Sequence, residues 1–272
     1  MIDGRYQILL TNDDGIQSPG IWTAAQALSK LGFVTLAAPR DQASSTGRSM
    51  PLSSDGKIVQ TNMQIGDQDW VVYAVGGTPA QVVVHSVLEI MPATPDLVVS
   101  GINYGENLGN SVMTSGTVGA ALEAASLGIP AIAASVELQD IREFNVYSEN
   151  VRFDTAAYFT AYFAQAMLEK RMPHDVDVLK IEVPHDATPQ TPWRVTRQGR
   201  DRYYKPMLER TGSWDENGRV YGLVGPNYDL IEPDSDIHAM LVDRVVSVTP
   251  LSLDLTSRVD FGELEQLLNK AG

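Results

Sequence analysis

The chain has 272 residues, 43% of them hydrophobic, and 34 Asp and Glu against 20 Lys and Arg give a net charge of −14. A chain of this length can bury roughly 70–75% of its unfolded surface, so a globular fold is expected, and polymeric nucleic acid, which demands dense Lys and Arg, is excluded as a partner. Cysteine is absent, which excludes disulfides, thiolate zinc sites and a cysteine nucleophile; no apolar run nears the ~20 residues of a membrane span and no signal-peptide pattern opens the chain, so the expectation is a cytoplasmic protein with no membrane partner.

In chain order, residues 7–11 read as a strand that stops at Asn12-Asp13-Asp14-Gly15. Ile21, Ala24, Ala25, Leu28 and Leu31 then keep helical spacing, with Ser18-Pro19 as the start signal. Residues 33–38 form a second strand ending at Pro39, and 69–75 a third. Gly77-Thr78-Pro79 turns into an apolar helix over 80–90. Residues 96–100 are a buried-type strand ending at Gly101, 117–127 a small-residue helix, 130–136 a strand, 152–168 a helix and 177–183 another strand.

This alternation predicts an α/β fold, a doubly wound and mostly parallel sheet with helices on both faces. Its ligand site is expected beyond the carboxyl ends of the strands. Past Pro184 the pattern changes: 193–199 and 219–224 read as antiparallel strands around the charged stretch 200–218, followed by a strand over 243–251 and a helix over 261–270. The division is an α/β core of residues 1–185 and a β-rich extension, 186–272, belonging to the same domain.

Three polar loops fall at the expected edge. Asp13 and Asp14 can share one hard cation such as Mg²⁺, Mn²⁺ or Ca²⁺; the same tetrapeptide also suits an Asx turn with Gly15 at positive φ. The loop from Pro39 to Ser49 carries hydroxyls that can complete an oxygen shell and two arginines, Arg40 and Arg48, suited to a phosphate. The third loop, rich in Asn and Gly from Gly101 to Asn110, is long for a connector. It is followed by Ser115-Gly116-Thr117 before a helix, where an anion site and a simple N-cap are both open. None of His85, His174, His185 and His238 has metal-pair spacing, and His85 reads as a packed residue of an apolar helix. Tyr158 and Tyr162 read as packing residues. No Walker loop or Gly-x-Gly-x-x-Gly fingerprint follows the first strand, which disfavours a dinucleotide-dependent oxidoreductase.

Residues 8–20 (ILLTNDDGIQSPG), Ala38-Pro39 with Ser44, Gly77-Thr78-Pro79 and 95–117 (PDLVVSGINYGENLGNSVMTSGT) stand in one order. Together with Val195-Thr196-Arg197, Asp236 and 246–256, this set closely resembles the SurE family of survival proteins, metal-dependent nucleotidases, over almost the whole chain. The resemblance implies metal ligands at Asp13, Asp14, Ser44 and Asn103, with Asp13 and Asp14 catalytic, and a phosphate-contacting set of Asn107, Ser115, Gly116 and Thr117. It implies one divalent ion, Mg²⁺ or Mn²⁺, a nucleoside monophosphate substrate hydrolysed as by a 5′-nucleotidase, and a homodimer or homotetramer built by a C-terminal arm. The late loop adds Asp236, which the family pattern supports, and His238 as a candidate leaving-group acid. Two departures stand out: Ala43-Ser44-Ser45 where the family has an Arg-Ser-Gly core, and Gln81 where it carries an acid. The rival reading is a non-catalytic protein that binds nucleotides through the same metal-organised loops.

Overall fold

The computed structural model describes residues 1–139 and 151–269. Among the described residues, nine strands form one sheet. From one edge they run β3 (Ile58–Ile65), β4 (Gln68–Val75), β2 (Gly32–Pro39), β1 (Tyr6–Thr11) and β5 (Leu97–Tyr104). Beyond β5 follow β6 (Ala131–Val136), β7 (Val178–Val183), β11 (Val246–Leu251) and β8 (Trp193–Val195). The six strands from β4 to β7 are all parallel. The order reverses between β1 and β5, which makes their carboxyl ends the switch point of a doubly wound sheet.

Helices cover both faces, so the central strands are buried on both sides. Ile8 and Leu10 of β1 join the core under α1 (Pro19–Leu28) and α4 (Phe153–Glu169). Leu9 between them points to the opposite core, under α2 (Pro79–His85) and α3 (Gly116–Ser126). Ser18 caps α1 as its sequence signal predicts, accepting from Gly20 N at 3.3 Å. Gln81 completes a capping box at α2: Thr78 N donates to Gln81 Oε1 at 3.0 Å, and Gln81 N to Thr78 Oγ1 at 3.3 Å. The helix expected over 80–90 is α2 continued by one π-type turn, Ser86–Ile90, closed by Met91 N donating to Ser86 O just before Pro92, which has no amide to donate. His85 ends α2 and pairs with Glu89 at 2.5 Å.

The structure adds one strand that the sequence left unassigned and corrects two expectations. The polar run 58–65 forms β3, an exposed antiparallel edge strand joined to β4 by Gly66-Asp67; its buried side is too thin to leave apolar alternation. The pairing of 193–199 with 219–224 does not form. Instead β8 lies parallel to β11, which is antiparallel to β7 in the main sheet. The partner of β10 (Arg219–Val224) is β9 (Tyr204–Glu209), inside the charged stretch. These two strands form a separate ribbon. Asp236 and His238, expected in a loop, lie on a short helix, α5 (Asp236–Leu241). The terminal helix is α6 (Phe261–Asn269); Lys270, the end of its predicted range, lies outside the described residues. Among the described residues no helix is long and apolar enough to cross a membrane.

Candidate metal and phosphate site

Strand β1 ends in a turn held by its own side chain. Asn12 donates to Gly15 O at 3.0 Å and accepts from Gly15 N at 3.1 Å, and Gly15 takes φ +96°. The Asx-turn reading therefore holds for Asn12. It also serves the other reading, because the turn presents Asp13 and Asp14 as neighbouring buried carboxylates.

Asp13 faces the start of α3. Thr117 Oγ1 donates to Asp13 Oδ1 at 2.5 Å, and the amides of Gly116 and Thr117 also bond to the carboxylate. Glycine is required at 116, since a Cβ there would lie 2.7 Å from Asp13 Cβ. Asp14 Oδ2 accepts from Tyr104 N at 3.1 Å, and the Gln42 side chain bonds to it as well. Burial pushes the Asp13 carboxyl up to about 6, against the pull of its hydrogen bonds. Burial and the adjacent Asp13 charge push Asp14 further, to about 8. Two adjacent buried carboxylates, both raised by burial and one also by its neighbour's charge, favour a positive charge between them.

The second loop is tied to the same place. Ala43 N donates to Asp13 O at 2.8 Å and Gly47 N to Thr114 O at 2.9 Å, so the segment carrying half-buried Ser44 runs between the end of β1 and the start of α3. Its arginines are committed elsewhere: Arg48 to Glu123 at 2.6 Å, and Arg40 to Asp41 and Asp55 at 3.2 Å each. The expectation that they hold a phosphate is not carried by this arrangement.

The third loop starts later than its sequence suggests, because β5 continues to Tyr104. Ser100 pairs with Ala133 but Asn103 with Ser135, so one extra residue is inserted in β5. Gly101, at φ +138°, takes the strain, and a Cβ on it would lie 2.3 Å from Ala134 O. The bulge keeps Ile102 and Tyr104 in the α1/α4 core with Leu97 and Val99. Asn103, between them, therefore turns to the α3 side. Its Nδ2 donates to Gly105 O at 2.5 Å, which leaves the amide oxygen as the atom it can offer a cation.

Ser115 acts as the N-cap, accepting from Val118 N at 3.1 Å. The anion that occupies the α3 N-terminus in this structure is the Asp13 carboxylate. Asn107 is held from three sides: its amide donates to Glu182 at 2.9 Å, its carbonyl accepts from Lys180 Nζ at 2.9 Å, and its side chain donates to Ser135 at 3.1 Å. Asp236 lies beneath this loop, accepting from Gly109 N at 3.1 Å and from Lys180 at 2.9 Å. His238 lies outward on α5, 3.1 Å from Asp243. Lys180 and Glu182 are not marked as site residues by the sequence. Their only signal is two opposite charges two apart, inside an otherwise apolar buried strand at the edge where ligands bind. Burial raises Glu182 to about 7 despite Lys180 beside it; for Lys180, burial is outweighed by Asp236 and Glu182, and its value rises.

A second group with metal-ligating side chains, Glu137, His185 and Asp186, lies elsewhere. Arg244 already fills it, donating to Glu137 at 2.9 and 2.6 Å and to Asp186 at 2.5 Å. A guanidinium there repels a cation, which leaves the oxygen donors around Asp13 and Asp14 as the candidate metal site.

The family model for Survival protein SurE matches residues 8–205. The chain is 41% identical to the 5′-nucleotidase SurE of Thermococcus gammatolerans, covering 96% of each chain, and 40% identical to that of Methanosarcina mazei, covering 96% of this chain and 97% of the other. The crystal structure of the SurE protein from Aquifex aeolicus superposes with a TM-score of 0.73 at 31% identity, over 98% of this chain and 100% of that one. The chain belongs to the SurE family of survival proteins.

Proposed function

We propose that the chain is a phosphoric monoester hydrolase that cleaves nucleoside monophosphates to nucleoside and inorganic phosphate, as a 5′-nucleotidase dependent on one divalent cation. The observation that carries this is the pair of buried carboxylates, Asp13 and Asp14, at the β1–β5 switch point. The donors fit Mg²⁺ or Mn²⁺: Asp13, Asp14, the Asn103 amide oxygen and the Ser44 hydroxyl are all hard oxygens. When bound, the cation neutralises charge on the phosphoryl oxygens and makes an attacking water more acidic.

The remaining work belongs to the chain itself. Thr117 and the α3 amides fix the Asp13 carboxylate. Since that end of α3 already holds an anion, a phosphoryl group reaching Ser115-Gly116-Thr117 needs positive charge between itself and Asp13. Asn107, immobilised on β7, donates to oxygens on which charge develops. One of the two carboxylates orients the attacking water. A cleft of about 340 Å³ lined by Arg40, Gln42, Ala43, Ser54, Gly77 and Thr78 opens beside the same loop, and it has room for the nucleoside.

The β9–β10 ribbon exposes Leu208, Val220 and Trp214, which supports its role as the arm of a homodimer or homotetramer. The acidic, cysteine-free composition supports a cytoplasmic setting. The curated relatives carry an enzyme's name, so a non-catalytic nucleotide binder is not favoured. The test is phosphate release from a panel of 5′- and 3′-nucleoside monophosphates and polyphosphate, each with Mg²⁺, Mn²⁺ or EDTA. Metal-dependent release from 5′-monophosphates is expected; release from none of them overturns the reading.

A further inference from the structure

We propose that Lys180, Glu182 and Asp236 form a buried charged frame that positions Asn107 for the reaction, an inference that rests on the phosphatase reading above. Lys180 and Glu182 stand two apart on β7, so both project to the same face of the sheet, near its carboxyl end. All three side chains have zero exposure. Buried charges of this kind are costly, and apolar residues of similar volume would often serve stability as well or better. Their hydrogen bonds show what they accomplish instead.

Glu182 and Lys180 grip the two polar groups of a single peptide-chain residue, the amide and the carbonyl of Asn107, each at 2.9 Å. Ser135, from the neighbouring strand β6, takes the Asn107 side-chain amide. Backbone and side chain are thus fixed together, and the Asn107 carboxamide cannot swing without breaking bonds to β6 or β7. Asp236 completes the frame from α5. It ties Lys180 to the far end of the loop through Gly109 N, and to the root of the β9–β10 ribbon through Gly199 N at 2.9 Å. A loop outside the sheet edge thereby acquires the rigidity of the sheet. That is the preorganisation phosphoryl transfer needs, since a displacement of about 1 Å can cost ~100-fold in rate.

Lys180, Glu182 and Asp236 are positioning residues in this account, acting through Asn107. A double-mutant cycle on the full-length protein, with AMP and Mn²⁺, separates that role from a general structural one. Lys180→Met should lower kcat by about 10–100-fold with little change in the Mn²⁺ concentration giving half activity, because Asp13 and Asp14 are untouched. Added to Asn107→Ala, it should cost less than about 3-fold more, since the residue it positions is already gone. Ser135→Ala, which frees the Asn107 side chain alone, should fall in the same direction and be similarly masked by Asn107→Ala. Losses that multiply, or a Lys180→Met protein as active as wild type, overturn the proposal. If Lys180→Met does not fold, Glu182→Gln, which keeps an acceptor for the Asn107 amide at reduced charge, takes its place in the cycle: masking by Asn107→Ala supports the proposal, and multiplying losses or full activity overturn it. A wild-type protein that releases no phosphate from any nucleoside monophosphate of the panel defeats the phosphatase reading and this inference with it; an active wild type with losses that multiply defeats this inference alone.

Discussion

Asp13 and Asp14 carry the account at the scale of single residues, and their burial makes a signed prediction. Both folded-state values exceed the ordinary 3.8, at about 6 and about 8. Between about pH 4 and about pH 8 the metal-free folded protein therefore binds more protons than the unfolded chain. The stability linked to this pair is fully present below about pH 4 and is lost as pH rises through the two folded values. In EDTA, Asp14→Asn should remove most of that slope, so the Tm of the variant should overtake that of wild type between about pH 6 and about pH 8. The Mn²⁺-induced rise in the wild-type Tm should grow over the same range, because protons and metal compete for the same oxygens. Parallel Tm profiles for the two proteins would contradict this. Gly116 is a second sensitive point. Gly116→Ala forces a methyl against Asp13 and should reduce kcat by at least about 10-fold, with the loss read in steady-state assays at saturating Mn²⁺. His238→Gln should leave kcat unchanged, as its ring faces Asp243.

At the scale of elements, the parts that place the site are legible in the sequence where local signals agree. Ser18-Pro19 announces α1, and the apolar runs over 7–11 and 130–136 announce strands buried on both faces. What stays hidden depends on partners distant in sequence. The bulge in β5 is invisible in the run Ser100-Gly101-Ile102-Asn103, since it exists only against β6. The partner of β10 is misassigned because charge along 204–209 reads as a loop when neither face of the ribbon is buried. Asp236 is marked by resemblance, yet its contacts with Gly109, Gly199 and Lys180 span 127, 37 and 56 residues, beyond any local pattern.

Two element-scale outcomes follow. Gln81→Ala removes half of the α2 capping box and should cost about 1 kcal/mol, a Tm drop of roughly 2–4 °C in a calorimetric melt, with kcat retained. Replacing the tip of the ribbon, 207–221, by a short turn should lower the mass seen by light scattering while kcat survives. Excising 198–222 should also lower kcat, because Tyr203 and Tyr204 hold Glu106 at 2.7 and 3.1 Å beside Asn107. Equal activity in the two truncations would argue against that link.

Over the whole molecule, the sheet order puts three loops at one edge, and each contributes a different kind of atom. The loop after β1 brings carboxylates, the loop after β2 a hydroxyl, and the end of β5 an amide oxygen, with α3 arriving behind them. On the proposed reading the acidic balance of the chain needs no basic surface, since the charge that meets a phosphate would be borrowed from a cation. The competing cluster at Glu137 holds Arg244, and the proposed reading places it outside the chemistry. The Mn²⁺ dependence of phosphate release from AMP by wild type, Asp13→Asn and Glu137→Gln therefore tests the central claim most directly. The account predicts saturable activation of wild type and of Glu137→Gln, abolished by EDTA, and a loss of at least about 100-fold in Asp13→Asn. Full activity in Asp13→Asn, or release that persists undiminished in EDTA, would contradict it.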